Sequence, residues 1–120
     1  MIDSNILISV IVQVDKNDNF KTIERNLLRF HNYLKKNFVF FEIILIANSY
    51  RTLSFKQCDN LIKFFVNLII INPLESIDED LGIRIGIENS IGEKVLTCFI
   101  DTSLDDIDTM IKYNSDEILI

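Results

Sequence analysis

The sequence predicts an α/β domain, a mostly parallel sheet of about five strands with helices on both faces in a three-layer arrangement. Two observations predict it. Strand-sized, β-branched apolar runs alternate along the chain with segments whose apolar residues recur at helical spacing. The runs also lack strict polar alternation, as strands covered on both faces require.

Ile6 to Val14 (ILISVIVQV) is the first strand. Asp15 to Asn19 (DKNDN) is a polar loop able to cap a helix. Ile23, Leu27, Phe30 and Leu34 then make one helical stripe, and Lys35 and Lys36 close that helix where its macrodipole favours cations. Phe41 to Ile46 is the second strand and runs into the polar loop Ala47 to Thr52. Ser54 and Gln57 have capping-box spacing. Cys58, Leu61, Ile62 and Phe65 supply the buried stripe of the second helix. Asn67 to Ile71 is the third strand, and Pro73 cannot extend its ladder.

Ser76 to Asp80 brings acids to the start of a third helix, over about Glu79 to Asn89. Gly82 and Gly86 each cost a helix interior up to ~1 kcal/mol relative to alanine, so the pair predicts close approach of helix and sheet. Gly92 reads as the C-terminal cap or turn of that helix. Val95 to Ile100 is the fourth strand. Leu104, Ile107 and Ile111 mark a short fourth helix, and Glu117 to Ile120 the start of a fifth strand.

At 120 residues the chain suits a single domain spanning 1–120. A hydrophobic fraction of 48% excludes a disordered segment, and a net charge of −6 argues against nucleic acid as a partner. No apolar run has the ~20 residues a transmembrane helix needs. Met1 to Asn5 shows neither a basic n-region nor a cleavage site, which points to a cytoplasmic protein. Cys58 and Cys98 read as reduced core thiols. With His31 as the single histidine, a zinc cluster is not expected.

Ligands of parallel sheets bind beyond the carboxyl ends of the strands. That directs attention to the loops Asp15–Asn19, Ala47–Thr52 and Asp101–Asp106, where Asp15, Asn48 and Asp101 would point toward one crevice. A strand-end Asp suits Mg²⁺ or Mn²⁺, which prefer carboxylate and phosphate oxygen. Acids are equally ordinary loop and cap residues, and Asp105, Asp106 and Asp108 read as solvated helix-start charges. The chain has no dinucleotide GxGxxG, no P-loop and no GxSxG elbow. A phosphoacceptor receiver domain would need paired acids after the first strand, an Asp ending the third and a Lys ending the fifth. Only Asp15 fits, and the third strand ends in Asn72.

Four stretches carry a family resemblance, in order. They are LISVIVQV at 7–14, Asn17-Asp18-Asn19-Phe20, FEIILIANSYRT at 41–52, and Leu81 to Leu96 with Arg84, Gly86, Ser90, Gly92 and Glu93. Together they resemble the nucleotide-sugar-binding half of the family 2 glycosyltransferases, and among these the dolichyl-phosphate mannose synthase-like members. The resemblance implies the GT-A fold, a Rossmann-like sheet with the order 3-2-1-4 over its first four strands. It implies that Asp15 and Asn48 hold the nucleoside of a nucleotide-sugar donor, that Arg84 faces the diphosphate, and that Asn17 belongs to the same nucleotide-sugar site. It places Mg or Mn on Asp101, and it implies sugar transfer to a glycan or lipid acceptor.

The sequence departs from the family at its acids. Ala47, Asn48 and Ser49 stand in the acidic, glycine-containing loop after the second strand. An ungapped count puts Phe99 and Asp101 on the DxD acids, and a two-residue shift puts Asp101 and Ser103 there, so one carboxylate remains either way. The acceptor half, with its catalytic base, is absent from these residues, so the chain is expected to be inactive alone.

Two other readings stand beside this one. The first is a degenerate, non-catalytic interaction module, with Val39-Phe40-Phe41 and Ile118 to Ile120 contacting the missing half or a second copy in a homo-oligomer. The second is an unrelated small α/β ligand-binding domain. For Arg84 the competing role is an ion pair with Glu88 four residues on.

Overall fold

Leu7–Val14 forms β1, and seven of its eight residues are buried, as its unbroken apolar run requires. A computed structural model describes residues 6–14, 17–47, 53–73 and 75–113. In these residues strands and helices alternate: α1 (Phe20–Asn37), β2 (Phe40–Ala47), α2 (Phe55–Phe64), β3 (Leu68–Ile71), α3 (Glu79–Asn89), β4 (Lys94–Phe99) and α4 (Leu104–Tyr113). The sheet is parallel throughout, in the order β3-β2-β1-β4. Val10 stands level with Ile43 on one side and Leu96 on the other. This is the expected Rossmann-like α/β architecture and strand order. The fifth strand expected at Glu117–Ile120 lies outside the described residues.

The two faces of the sheet are unequally covered. Val10, Val12, Ile43, Leu45 and Leu96 point to one face, where they meet the stripe Ile23, Leu27, Phe30 and Leu34 of α1, Leu61 of α2 and Ile107 of α4. The opposite face has a smaller cluster of Ile11, Ile44, Ile46 and Val95, against which Ile87 of α3 packs. Gly86 makes this approach possible, since a Cβ there would lie 2.5 Å from Cγ2 of Ile11. The expected close approach holds at Gly86, and Gly82 is buried on the same side of the helix.

Local chemistry places the helix ends. Asn19 caps α1 by accepting from the Thr22 N–H at 2.9 Å. Ser54 and Gln57 close the capping box of α2 in both directions. Asp78 caps α3, accepting from the Leu81 N–H at 2.7 Å. Between α2 and β3, Asn67 adopts φ +68, a left-handed conformation that Asn tolerates better than most residues.

Two expectations are corrected here. Ile62 is exposed, because α2 ends at Phe64 and buries Leu61 as its one fully covered residue, with Phe65 following as the C-cap. Gly92 is not the cap of α3; the helix ends at Ser90 in extended conformation. Gly92 instead lies against β1, where its N–H donates to Ser9 Oγ at 2.8 Å and a Cβ would collide with that hydroxyl.

Candidate functional site at the carboxyl edge of the sheet

Every strand points its carboxyl end toward one edge, and the strand order reverses there between β1 and β4. The loop after β4 is built tightly. Its Phe99 N–H donates to Thr102 Oγ1 at 3.0 Å, and the Thr102 N–H returns to the Phe99 carbonyl at 3.0 Å. Ile100 N–H donates to the Gln13 carbonyl at 3.0 Å, which ties this turn to the end of β1. Asp101 sits at the tip of the turn and is exposed. Ser103 then starts α4, its Oγ accepting from the Asp106 N–H at 3.1 Å.

Beside this turn lies a cavity of about 130 Å³, lined by Gln13, Glu79, Thr97, Phe99 and Thr102 together with Ile83, Cys98 and Met110. Ligand pockets usually run ~300–1,000 Å³, so this one takes a single ring and not a whole nucleotide sugar. Its polar lining comes from the α3 side of the sheet. Of the five buried polar residues among those described, Ser9, Gln13, Glu42 and Thr97 all sit on that face, and Asn26 lies on α1. The signal was present in the sequence: Ser9 and Gln13 interrupt β1 four residues apart, hence on one face of a strand. Gln13, Glu79, Thr97 and Thr102 are the lining residues that the motif reading missed.

The expected site residues fall out unevenly. Asp15 and Asn48 lie outside the described residues. Asn17 is exposed in the turn before α1, near the capping Asn19. Asp101 is at the strand-end edge, as its place after β4 requires. Arg84 lies on α3 and not in a strand-end loop. It stands about 160° around α3 from Gly82 and Gly86, at ~100° per residue, so it is on the solvent side of a helix whose glycine side meets the sheet.

Charge at this edge is strongly acidic. Asp78, Glu79 and Asp80 gather at the start of α3, and Asp101, Asp105 and Asp106 at the start of α4. Helix N-termini favour these acids, but a diphosphate placed among them would need compensating cations. Among the described residues Asp101 is the carboxylate that closely follows a strand end, and no three His, Cys, Asp or Glu groups cluster there as a metal site. One carboxylate fits an ion that takes most of its ligands from phosphate and water.

The thiols are chemically quiet. Burial pushes the Cys98 thiol up to about 12, and the nearby charge of Asp101 adds to that effect. Cys58 is raised as well, through burial. Both remain protonated at neutral pH, so neither is a ready nucleophile or metal ligand. No helix among the described residues is long and apolar enough to cross a membrane. The chain matches no model of a known protein family and no curated protein sequence.

Proposed function

We propose that this chain is the donor-side portion of a family 2-like glycosyltransferase, which binds a nucleotide sugar at the carboxyl edge and does not transfer the sugar by itself. One observation carries most of the reading: an exposed Asp101 on a rigid turn joined to the end of β1, where the sheet order reverses. The small cavity beside it, lined by Gln13, Thr97, Phe99 and Thr102, has the size of a single sugar or ribose ring. Mg²⁺ or Mn²⁺ would supply charge neutralisation for the diphosphate at Asp101. The chain's own residues would position the donor and, with Phe99 and Ile83, shield one ring from water.

The test is an amide NMR titration with UDP- and GDP-sugars, with Mg²⁺ for shifts and Mn²⁺ for paramagnetic broadening. Shifts at Gln13, Phe99 and Thr102, and broadening at Asp101 that needs the donor, are expected. Silence of these amides at millimolar donor would sink the reading. Asp101→Asn should remove the broadening while leaving the spectrum of the fold intact.

The acidic edge favours one competing reading, a module that keeps the fold and has lost donor binding in favour of a protein contact. Val39 and Phe40 are both more than half exposed and would serve such a contact. Sedimentation separates the two, because a strictly monomeric chain at high concentration counts against self-association through that surface.

A further inference from the structure

α3 covers β1 and β2 on its face of the sheet and leaves Ile69 of the edge strand β3 exposed. Below the end of α3, toward the amino ends of the strands, this leaves a cavity of about 320 Å³. Its walls are mostly apolar, with Val39, Phe40, Ile69 and Ile91 each substantially exposed to solvent and Asn67 as a polar member at one side. Glu42 lines the same cavity and is 6% exposed. The register explains the grouping, because Phe40 and Glu42 alternate with inward-facing β2 residues and share their side of the sheet with Ile69.

The hydrogen bonding of Glu42 is one-sided. Its Oε2 accepts from the Ser9 hydroxyl at 2.5 Å and from the Ile91 N–H at 2.8 Å. Ser9 Oγ is itself held by the Gly92 N–H at 2.8 Å, so the Ser9 proton is committed to Glu42. Among the described residues Oε1 has no hydrogen-bond donor, and no Lys, Arg or His lines the cavity. A buried carboxylate without a cationic partner is costly, and an ion pair with good geometry offsets that cost.

We propose that this cavity binds a small apolar ammonium compound, an arylalkyl- or alkylamine, with Glu42 as its anionic partner. The ammonium would donate to Oε1, and the apolar body would lie against Phe40, Ile69 and Ile91. The volume is at the lower end of the ~300–1,000 Å³ usual for small-molecule pockets. An anion is disfavoured by Glu42, and a fully apolar ligand would leave Oε1 desolvated and unpaired. The site is distinct from the carboxyl edge, where the donor is proposed to bind, and does not depend on that reading.

The test uses phenethylamine and its neutral counterpart phenethyl alcohol, titrated into the labelled protein near neutral pH. The amine should shift the amides of Glu42, Ile69 and Ile91 and bind about tenfold more tightly than the alcohol. Glu42→Gln should reduce amine affinity to that of the alcohol. Should that variant fail to fold, Ile69→Lys serves instead, since its exposed position tolerates the change and its tethered ammonium should exclude the amine. Equal binding of amine and alcohol, undiminished binding by either variant, or no shift at millimolar amine overturns the proposal. Gln13, Phe99 and Thr102 should stay unmoved in this titration, which separates its failure from any failure of donor binding.

Discussion

Gly92 shows how much one missing Cβ can hold. A methyl group there would collide with Ser9 Oγ and lie 2.7 Å from the Ser9 nitrogen and 2.9 Å from the Lys94 carbonyl oxygen. Two of those neighbours are backbone of a central strand and its neighbour and cannot give way. At Gly86 the obstacle is the Ile11 side chain, which has some room to rotate. Gly86→Ala is therefore expected to cost about 1–3 kcal/mol by overpacking, and Gly92→Ala more, read as urea midpoints. Only the first cost has a sequence signal, since a glycine inside a helix is conspicuous. Gly92 looked like an ordinary helix stop because the hydrogen bond to Ser9 spans 83 positions of sequence.

His31 gives a second prediction at this scale. Its ring packs against Phe41 and Phe65, and burial followed by the nearby Lys35 charge holds its pKa below the ordinary 6.5. A lowered folded pKa means that the neutral ring is the one the fold accepts. The resulting stability is complete above the unfolded pKa and is lost as pH falls through the lower folded value. Denaturation midpoints should therefore drop on acidification below about 6.5, and His31→Gln should flatten that dependence. Cysteine reactivity checks the site description: in the folded protein Cys98 should resist alkylation, and Cys58 should react slowly but faster, because it is only half-buried.

Among the elements, α2 is a thinly anchored helix. It spans ten residues and has one fully buried side chain, Leu61, so its cap carries an unusual share of its stability. Ser54→Ala should cost about 1 kcal/mol, and hydrogen exchange should open α2 before α1. Cys58, Leu61, Ile62 and Phe65 form a wide apolar arc on a helical wheel. The short helix packs on β3 at the sheet edge, which has room for Leu61 and leaves Ile62 in solvent. Periodicity reports which residues are apolar and cannot report how wide a face the neighbouring strand offers. Arg84 teaches the converse. The glycine spacing that predicted close approach also puts Arg84 on the far side of α3, a consequence of helical geometry alone.

For the whole molecule, the parallel alternation sorts charge by end. Acids collect where α3 and α4 start, at the carboxyl edge, whereas α1 and α2 have none in their first turns, and Lys35, Lys36 and Lys63 lie where α1 and α2 finish. A diphosphate donor should consequently bind with a strong demand for divalent metal. Removing the metal with chelator is expected to abolish the donor-induced shifts, whereas amine binding in the Glu42 cavity should be indifferent to chelator. The tie between Tyr33 and Asp108, a hydroxyl donating at 2.6 Å, fastens α4 to α1 and holds the β4 turn from behind.

By itself the sequence determined the alternation of strands and helices, the caps of α1 and α2, and the close approach at Gly86. Each follows from spacing within a few residues: apolar period, Asx and Ser chemistry, and a glycine where a side chain would not fit. Tertiary structure decided what depends on residues far apart in the chain. Among the described residues it set three helices on one face of the sheet and one on the other, and grouped Gln13 with Thr97 and Thr102. It also left Glu42, a single polar residue in an apolar strand, buried beside Ser9 and Ile91. Pairing across a sheet and crossover packing join positions that no local pattern links, so those contacts could be read only from the folded chain.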